Sequence, residues 1–188
     1  MLIMASFSEL DHMIQNGQGK SHLFAEMLVR NYYDYIYRLA AYILGAPTEA
    51  DDICQETFID ALLYIDRYSP GTNLKAWLAK IAVHKCQQML RKWKIRDALS
   101  AVIRTRQVDT SKSPTPLEST VEKEGSEQIW AAINALDDKH RILVILYYVN
   151  ELKVREIADI LEIPEGTVSS RLHYAIQNLE SRLRLWVE

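Results

Sequence analysis

The 188-residue chain has only two cysteines, Cys54 and Cys86, and they form no C-x-x-C pair. A zinc site and a disulfide framework are therefore poor readings, and both thiols, set in apolar helical patterns, are expected to be free and buried. No run approaches the ~18 apolar residues of a membrane span, and the first residues lack the basic flank and apolar core of a secretory signal. A cytoplasmic protein without membrane insertion is expected. The chain also lacks a phosphate-cradling Gly loop, a His-rich metal constellation and a nucleophile motif, so no metal, cofactor or enzymatic activity is expected. One further absence is local. From Arg67 to Arg96 there is no Asp or Glu, while eight residues are Lys or Arg. The net charge of -3 conceals this segregation, and a nucleic-acid footprint is set by local clusters rather than by the average.

The composition, 48% hydrophobic and 25% charged, is that of a folded protein. Apolar residues recur at helical spacing from Leu23 to Leu44, and Gly45 and Pro47 supply a stop. A second helix is expected from a capping box at Thr48-Glu49-Ala50-Asp51 to about Tyr68, where Ser69-Pro70-Gly71 forces a turn. A third carries a buried stripe of Leu74, Trp77, Leu78, Ile81, Ala82, Met89 and Trp93. It leaves Lys75, Lys80, His84, Gln88, Arg91 and Lys92 outward. These make a first helical domain, residues 1–97.

Residues 98–127 lose periodicity, carry Thr110-Ser111-Lys112-Ser113-Pro114-Thr115-Pro116 and then several Glu, and read as a flexible linker. From Ile129 the helical pattern resumes in a second domain, 128–188, with Asp137 or Asp138 able to cap the next helix. Ile142 to Val149 is almost wholly apolar and β-branched enough to suit a strand. Helix is nonetheless expected, because a lone strand among helices leaves its backbone groups unpaired. The fold class is all-α, two small helical domains with no internal repeat.

Three segments carry function. Asp51-Asp52-Ile53-Cys54-Gln55-Glu56-Thr57-Phe58 sets carboxylates and an amide on a helix, where they can accept paired hydrogen bonds from a partner's Arg. The acid-free segment offers a positive face to phosphate, and Asn73 in its leading loop can bond an unstacked base edge. Trp77 and Trp93 have the spacing of buried residues more than of stacking platforms. Near the end, Glu156-Ile157-Ala158 followed by Ile163-Pro164-Glu165-Gly166-Thr167-Val168-Ser169-Ser170-Arg171 reads as a helix-turn-helix. There Ala158 permits close crossing, Val168 closes the core, and Ser169, Ser170, His173, Tyr174 and Gln177 face outward.

With Trp77-Leu78-Ala79-Lys80-Ile81-Ala82, these strings, in this order, resemble the extracytoplasmic-function sigma factors, the two-domain branch of the sigma-70 family. The resemblance covers Tyr35 to Arg96 and Leu136 to Arg182. It implies a sigma region 2 bundle that binds core RNA polymerase through Asp51, Asp52, Ile53, Gln55, Glu56 and Phe58. It further implies that Asn73, Lys75, Trp77, Lys80, His84, Lys85, Gln88 and Arg91 recognise and help melt the minus-10 promoter element, the Ser69 to Leu74 loop holding an everted base. The sigma region 4 helix-turn-helix would read the minus-35 element through Glu165, Gly166, Thr167, Ser169, Ser170, Arg171, His173 and Tyr174. The implied partners are core RNA polymerase, promoter DNA and a covering anti-sigma factor.

Two departures from that pattern stand out. His84 stands where the family often has Asn, and the recognition helix is poor in Arg: Arg171 is the only Lys or Arg between Glu165 and Leu179. Weaker, less salt-sensitive minus-35 binding is expected. Glu162 holds a turn position where Gly is common, and a left-handed conformation there costs about 1–2 kcal/mol. The alternative function is a free-standing, dimeric helix-turn-helix regulator, which has no use for the acidic Asp51–Phe58 helix. A carboxylate-centred hydrolase is a remote third.

Overall fold

The computed structural model describes residues 7–103 and 123–184, which are helical and contain no strand. The first helix, α1 (Phe7–Gln15), precedes the segment where a helix was expected, and it buries Leu10 and Met13. Helix α2 (His22–Leu44) starts where Ser21 Oγ accepts from the Phe24 N–H at 3.1 Å. It ends at Gly45, whose φ of 65° and bond to the Ala41 carbonyl make the left-handed stop that glycine suits.

Helix α3 (Pro47–Leu63) departs from expectation at both ends. No Thr48 capping box forms: Ala46 is the N-cap, without a side-chain bond, and Pro47 opens the helix. Proline is suited to that place, since its φ is already helical and its missing N–H would have been an orphan. The helix stops at Leu63, not Tyr68, and the chain tightens into a 3-10 turn at Ile65–Arg67 that puts Ile65 and Tyr68 into the core.

Helix α4 (Leu74–Ile103) is capped by Asn73, whose Oδ1 accepts from the Ala76 N–H at 3.2 Å. It buries Leu74, Leu78, Ala79, Ala82, Val83, Cys86 and Leu90, while Trp77, Ile81, Met89 and Trp93 are only half-buried. Its last turns run on past the expected boundary, helped by Ala98, Leu99 and Ala101, with Ile95 and Leu99 exposed. Helix resumes with α5 (Lys123–Asn134), so the structured part enters the expected linker from both sides. The linker's Ser/Thr/Pro-rich centre lies outside the described residues.

Asp137 caps α6 (Asp138–Val144) by accepting from the His140 N–H at 3.0 Å. The apolar run continues as a wide π-helical turn, Ile145–Val149, so the segment with strand propensity is helical throughout. Helices α7 (Val154–Leu161) and α8 (Glu165–Arg184) form the helix-turn-helix. Glu162 between them is left-handed (φ 55°), the conformation that is costly for a residue other than Gly. Ala158, Val168 and Leu172 close its interior.

The two helical groups are not held apart. Leu143, Leu146 and Leu152 from the α6 side, with Ile157 and Ile160 of α7, belong to one continuous apolar core with α1 to α4. Trp130 of α5 stacks on Tyr42 of α2 with centroids 4.3 Å apart. A smaller cluster, Ile133, Leu136, Val144 and Ala175, ties α5 and α6 to α8. Both cysteines are buried and free, and burial pushes each thiol up to about 12.

Candidate nucleic-acid interface

On α3, Asp52, Gln55 and Glu56 are exposed on one helical face. Asp51 is half-buried and engaged internally, accepting from the Tyr33 hydroxyl at 2.6 Å and from Gln55 Nε2 at 2.9 Å. That hydrogen bond, then burial, pushes the Tyr33 phenol up to about 12. Ile53 and Phe58 correct the expectation: at 2% and 5% exposure they anchor α3 to the core and offer no side chain to a partner. The residues that do continue the open face are Ile59 and Leu63, with Tyr64 just beyond. Helical spacing from Asp52 and Glu56 was the signal that could have found them.

The expected uninterrupted positive face of α4 is interrupted, because acids arrive from other elements. Lys85 is mostly buried and lies 2.7 Å from Asp60 and 3.2 Å from Glu56, both on α3. Burial opposes its charge, but those two carboxylates outweigh it and raise the ammonium above its ordinary range. Lys85 is thus a strut between α3 and α4, its ammonium already held by two carboxylates. Lys80 pairs with Glu162 at 3.0 Å, and Lys94 with Asp138 at 2.7 Å. Lys75 sits over the Tyr35 ring, 4.5 Å from its centroid. Trp77 packs against Tyr68 with centroids 5.5 Å apart, so it is not an open platform. His84 and Gln88 are exposed and bonded to each other at 2.8 Å, and Arg91 and Lys92 are open to solvent.

Asn73 has two tasks. Its Oδ1 caps α4, and its Nδ2 donates to Glu156 of α7. The second Glu156 oxygen accepts from the Lys153 N–H at 2.9 Å, closing the start of α7. Asn73 and Lys80, expected at the minus-10 element, are therefore both paired with acids of the helix-turn-helix.

On α8 the expected residues come together. Glu165, Gly166, Ser169, Ser170, His173 and Tyr174 are exposed, and Thr167 and Arg171 are half-buried. Both serine hydroxyls donate to carbonyls of the preceding turn, at 3.1 Å each. Ser170, Arg171 and Tyr174 line an open depression of about 350 Å³ with Asp137, Lys139 and His140. The last two escaped the sequence reading because they lie on α6. The His140 ring is 4.9 Å from that of Tyr174 and 2.7 Å from Asp137 Oδ1. Burial opposes the Asp137 charge, but its bonds to His140 hold the carboxyl below its ordinary value. Among the described residues no cluster of His, Cys, Asp or Glu is arranged to hold a metal, and no helix is long and apolar enough to cross a membrane.

Comparison with known proteins gives concordant matches. Residues 28–95 match the family model of Sigma-70 region 2, and residues 126–179 that of Sigma-70 region 4. The sequence is 35% identical to the ECF RNA polymerase sigma factor SigW of Bacillus subtilis, over 89% of this chain and 92% of that protein. It is 30% identical to the ECF RNA polymerase sigma factor SigL of Mycobacterium tuberculosis, over 84% and 89%. In fold it is similar to the sigma factor RpoE solved with the anti-sigma factor NepR from Bartonella quintana. There the TM-score is 0.69 at 22% identity, covering 85% of this chain and 96% of that one. It is also similar to CnrH solved with the cytosolic domain of CnrY, with a TM-score of 0.63 at 19% identity, covering 93% and 98%.

Proposed function

The chain belongs to the extracytoplasmic-function sigma factors of the sigma-70 family, and from that premise we propose how its surfaces divide the work of promoter use. As an RNA polymerase sigma factor it directs core polymerase to a restricted promoter set. Residues 1–97 act as region 2, and its docking face on core is Asp52, Gln55 and Glu56, with Asp51 orienting Gln55. Arg side chains on the partner can meet those groups with paired, charge-assisted bonds. Asn73, Lys75, Lys80, His84, Gln88 and Arg91 serve the minus-10 strand. Residues 128–188 act as region 4, with the open face of α8 at the minus-35 duplex.

The observation that carries this division is the side-by-side placement of α3, with Asp52, Gln55 and the Lys85-paired Glu56 exposed on one face, and a cation-rich α4. A free-standing regulator needs only the second. Opening is driven by binding: everting a base costs a few kcal/mol, which its capture and contacts to the single strand offset. In the closed arrangement, the Glu156 and Glu162 carboxylates occupy Asn73 and Lys80, so promoter DNA must exchange with them. The chain works where its polymerase is, in the cytoplasm. A partner that grips both helical groups and keeps those pairs closed would act as its anti-sigma factor. Transcription in vitro with purified core, with and without the chain, tests the reading. Promoter-specific initiation only when the chain is added is expected, whereas tight duplex binding by the chain alone with no effect on core would favour the regulator.

A further inference from the structure

Asp11 lies on α1, outside both matched regions, and is 8% exposed. Its Oδ1 accepts from the Tyr68 hydroxyl and its Oδ2 from the Gly71 N–H, each at 2.9 Å. The same hydroxyl lies 2.7 Å from the Thr72 carbonyl. One carboxylate thus grips the start and the middle of the loop that leads into α4.

Within the loop Thr72 Oγ1 donates to the Ser69 carbonyl at 2.7 Å and Asn73 is tied to α4 and α7, but the Gly71 N–H is held by Asp11. Ser69, Pro70, Gly71, Thr72 and Asn73 are all exposed. Thr72 N–H donates to the Ser69 carbonyl at 3.2 Å around Pro70 and a left-handed Gly71 (φ +87°), the arrangement of a type II turn. A Cβ at Gly71 would meet nothing within 4 Å, so glycine is needed there for conformation and not for space. In a type I turn the central peptide is rotated by about 180°. That rotation would take the Gly71 N–H away from Asp11 and turn the Pro70 carbonyl toward the carboxylate. A charge-assisted bond to the Gly71 N–H therefore selects one of two turn forms that exposed Pro-Gly could otherwise sample.

We propose that Asp11 is a positioning residue for promoter opening: from α1 it locks the Ser69–Asn73 turn in one form, so that Asn73 meets an everted minus-10 base on a loop already ordered. The inference rests on the assignment of that loop to the minus-10 strand. Its physical basis is that ordering done before binding need not be done during it.

The test uses holoenzyme assembled from full-length chain and core, with 2-aminopurine at melted non-template positions of the minus-10 element. Asp11→Ala is expected to lower open-complex formation and the base-capture signal about tenfold, the scale of a lost hydrogen bond to a charged group. Core affinity and helix content should not change. Asp11→Asn should restore most of the loss, because its amide oxygen can still accept from Gly71 while its amide nitrogen donates to Tyr68. Unchanged opening in Asp11→Ala, core affinity falling in step with opening, or no rescue by Asn would each overturn the proposal. Asn73→Ser, which keeps a capping oxygen but removes the amide donor, separates the two levels. If it impairs opening and Asp11→Ala does not, the positioning role fails and the loop assignment stands. If neither variant has an effect, both fail.

Discussion

Helices α4 and α8 are both proposed to face DNA, and they hold their polar groups in opposite ways. Between Leu74 and Arg96 α4 has seven Lys or Arg, yet Lys80, Lys85 and Lys94 are paired with acids from other elements and Lys75 is laid over an aromatic ring. Between Glu165 and Leu179 α8 has Arg171 alone, but its surface is open. A count of cations therefore misstates the positive surface a helix offers. What counts is which carboxylates the fold brings alongside: Lys80 and Lys94 would have to leave theirs to meet a strand, while Arg91 and Lys92 are already open. On the proposed assignment, region 2 meets DNA only after some of its cations exchange partners, and region 4 is open but carries few cations.

Polymerase is proposed to dock on neither helix but on α3, and this assignment is the easiest to break. Asp52→Arg should lower core retention roughly a hundredfold, since like charges placed across an interface cost several kcal/mol. Binding of the free chain to single strands should be unaffected. A core pull-down with circular dichroism as the folding control decides it, and full retention on core would remove α3 from the docking role.

If α4 is masked, uncovering it should show. The double change Glu156→Gln and Glu162→Gln keeps the acceptor that starts α7 but removes both charges, and should raise affinity for a minus-10 single strand several-fold at low salt. The gain should shrink as salt screens the pairs. Fluorescence anisotropy measures it, and equal affinity would mean that the acids do not compete with DNA.

Lys85 sharpens the contrast within α4 itself. Lys85→Met should cost about 1 kcal/mol of stability, a value discounted for the exposure of Glu56, and change strand binding less than Lys92→Ala does. Because the folded Lys85 pKa is raised, its contribution is complete at neutral pH and is lost only as pH rises through that raised value. Denaturant melts of wild type and variant should therefore converge at strongly alkaline pH.

The smallest effect is expected at α8. Arg171→Ala should reduce the logarithmic salt slope of duplex binding by no more than about 0.9, one phosphate's worth. A titration at several salt concentrations is sufficient, and a steep residual slope would show that Lys139 or other cations near the depression carry the contact.

Much of this was legible in the sequence because it depends on neighbours along the chain. The Gly45 stop, the Asp137 cap and the inward face of α8 follow from local backbone needs and helical period. The apolar Ile142–Val149 run could be read as helix only by asking where its backbone bonds would go. Where the reading erred, a competing local choice prevailed, as when Pro47 displaced the Thr48 capping box.

The candidate surfaces divide along the same line. Their residue types, their order and the family they mark were set by the sequence, since a spacing of three or four residues places side chains on one helical face whatever the rest of the fold does. Which of those side chains are usable was decided only by packing. Ile53 and Phe58 went inward, Lys85 became a strut, and Asn73 and Lys80 met acids some eighty residues further along the chain. Asp11, sixty residues before Gly71, reached the loop it grips. Such pairings depend on how helices cross. Sequence periodicity states which face of a helix is apolar, but not which charge from another helix will lie against its polar side.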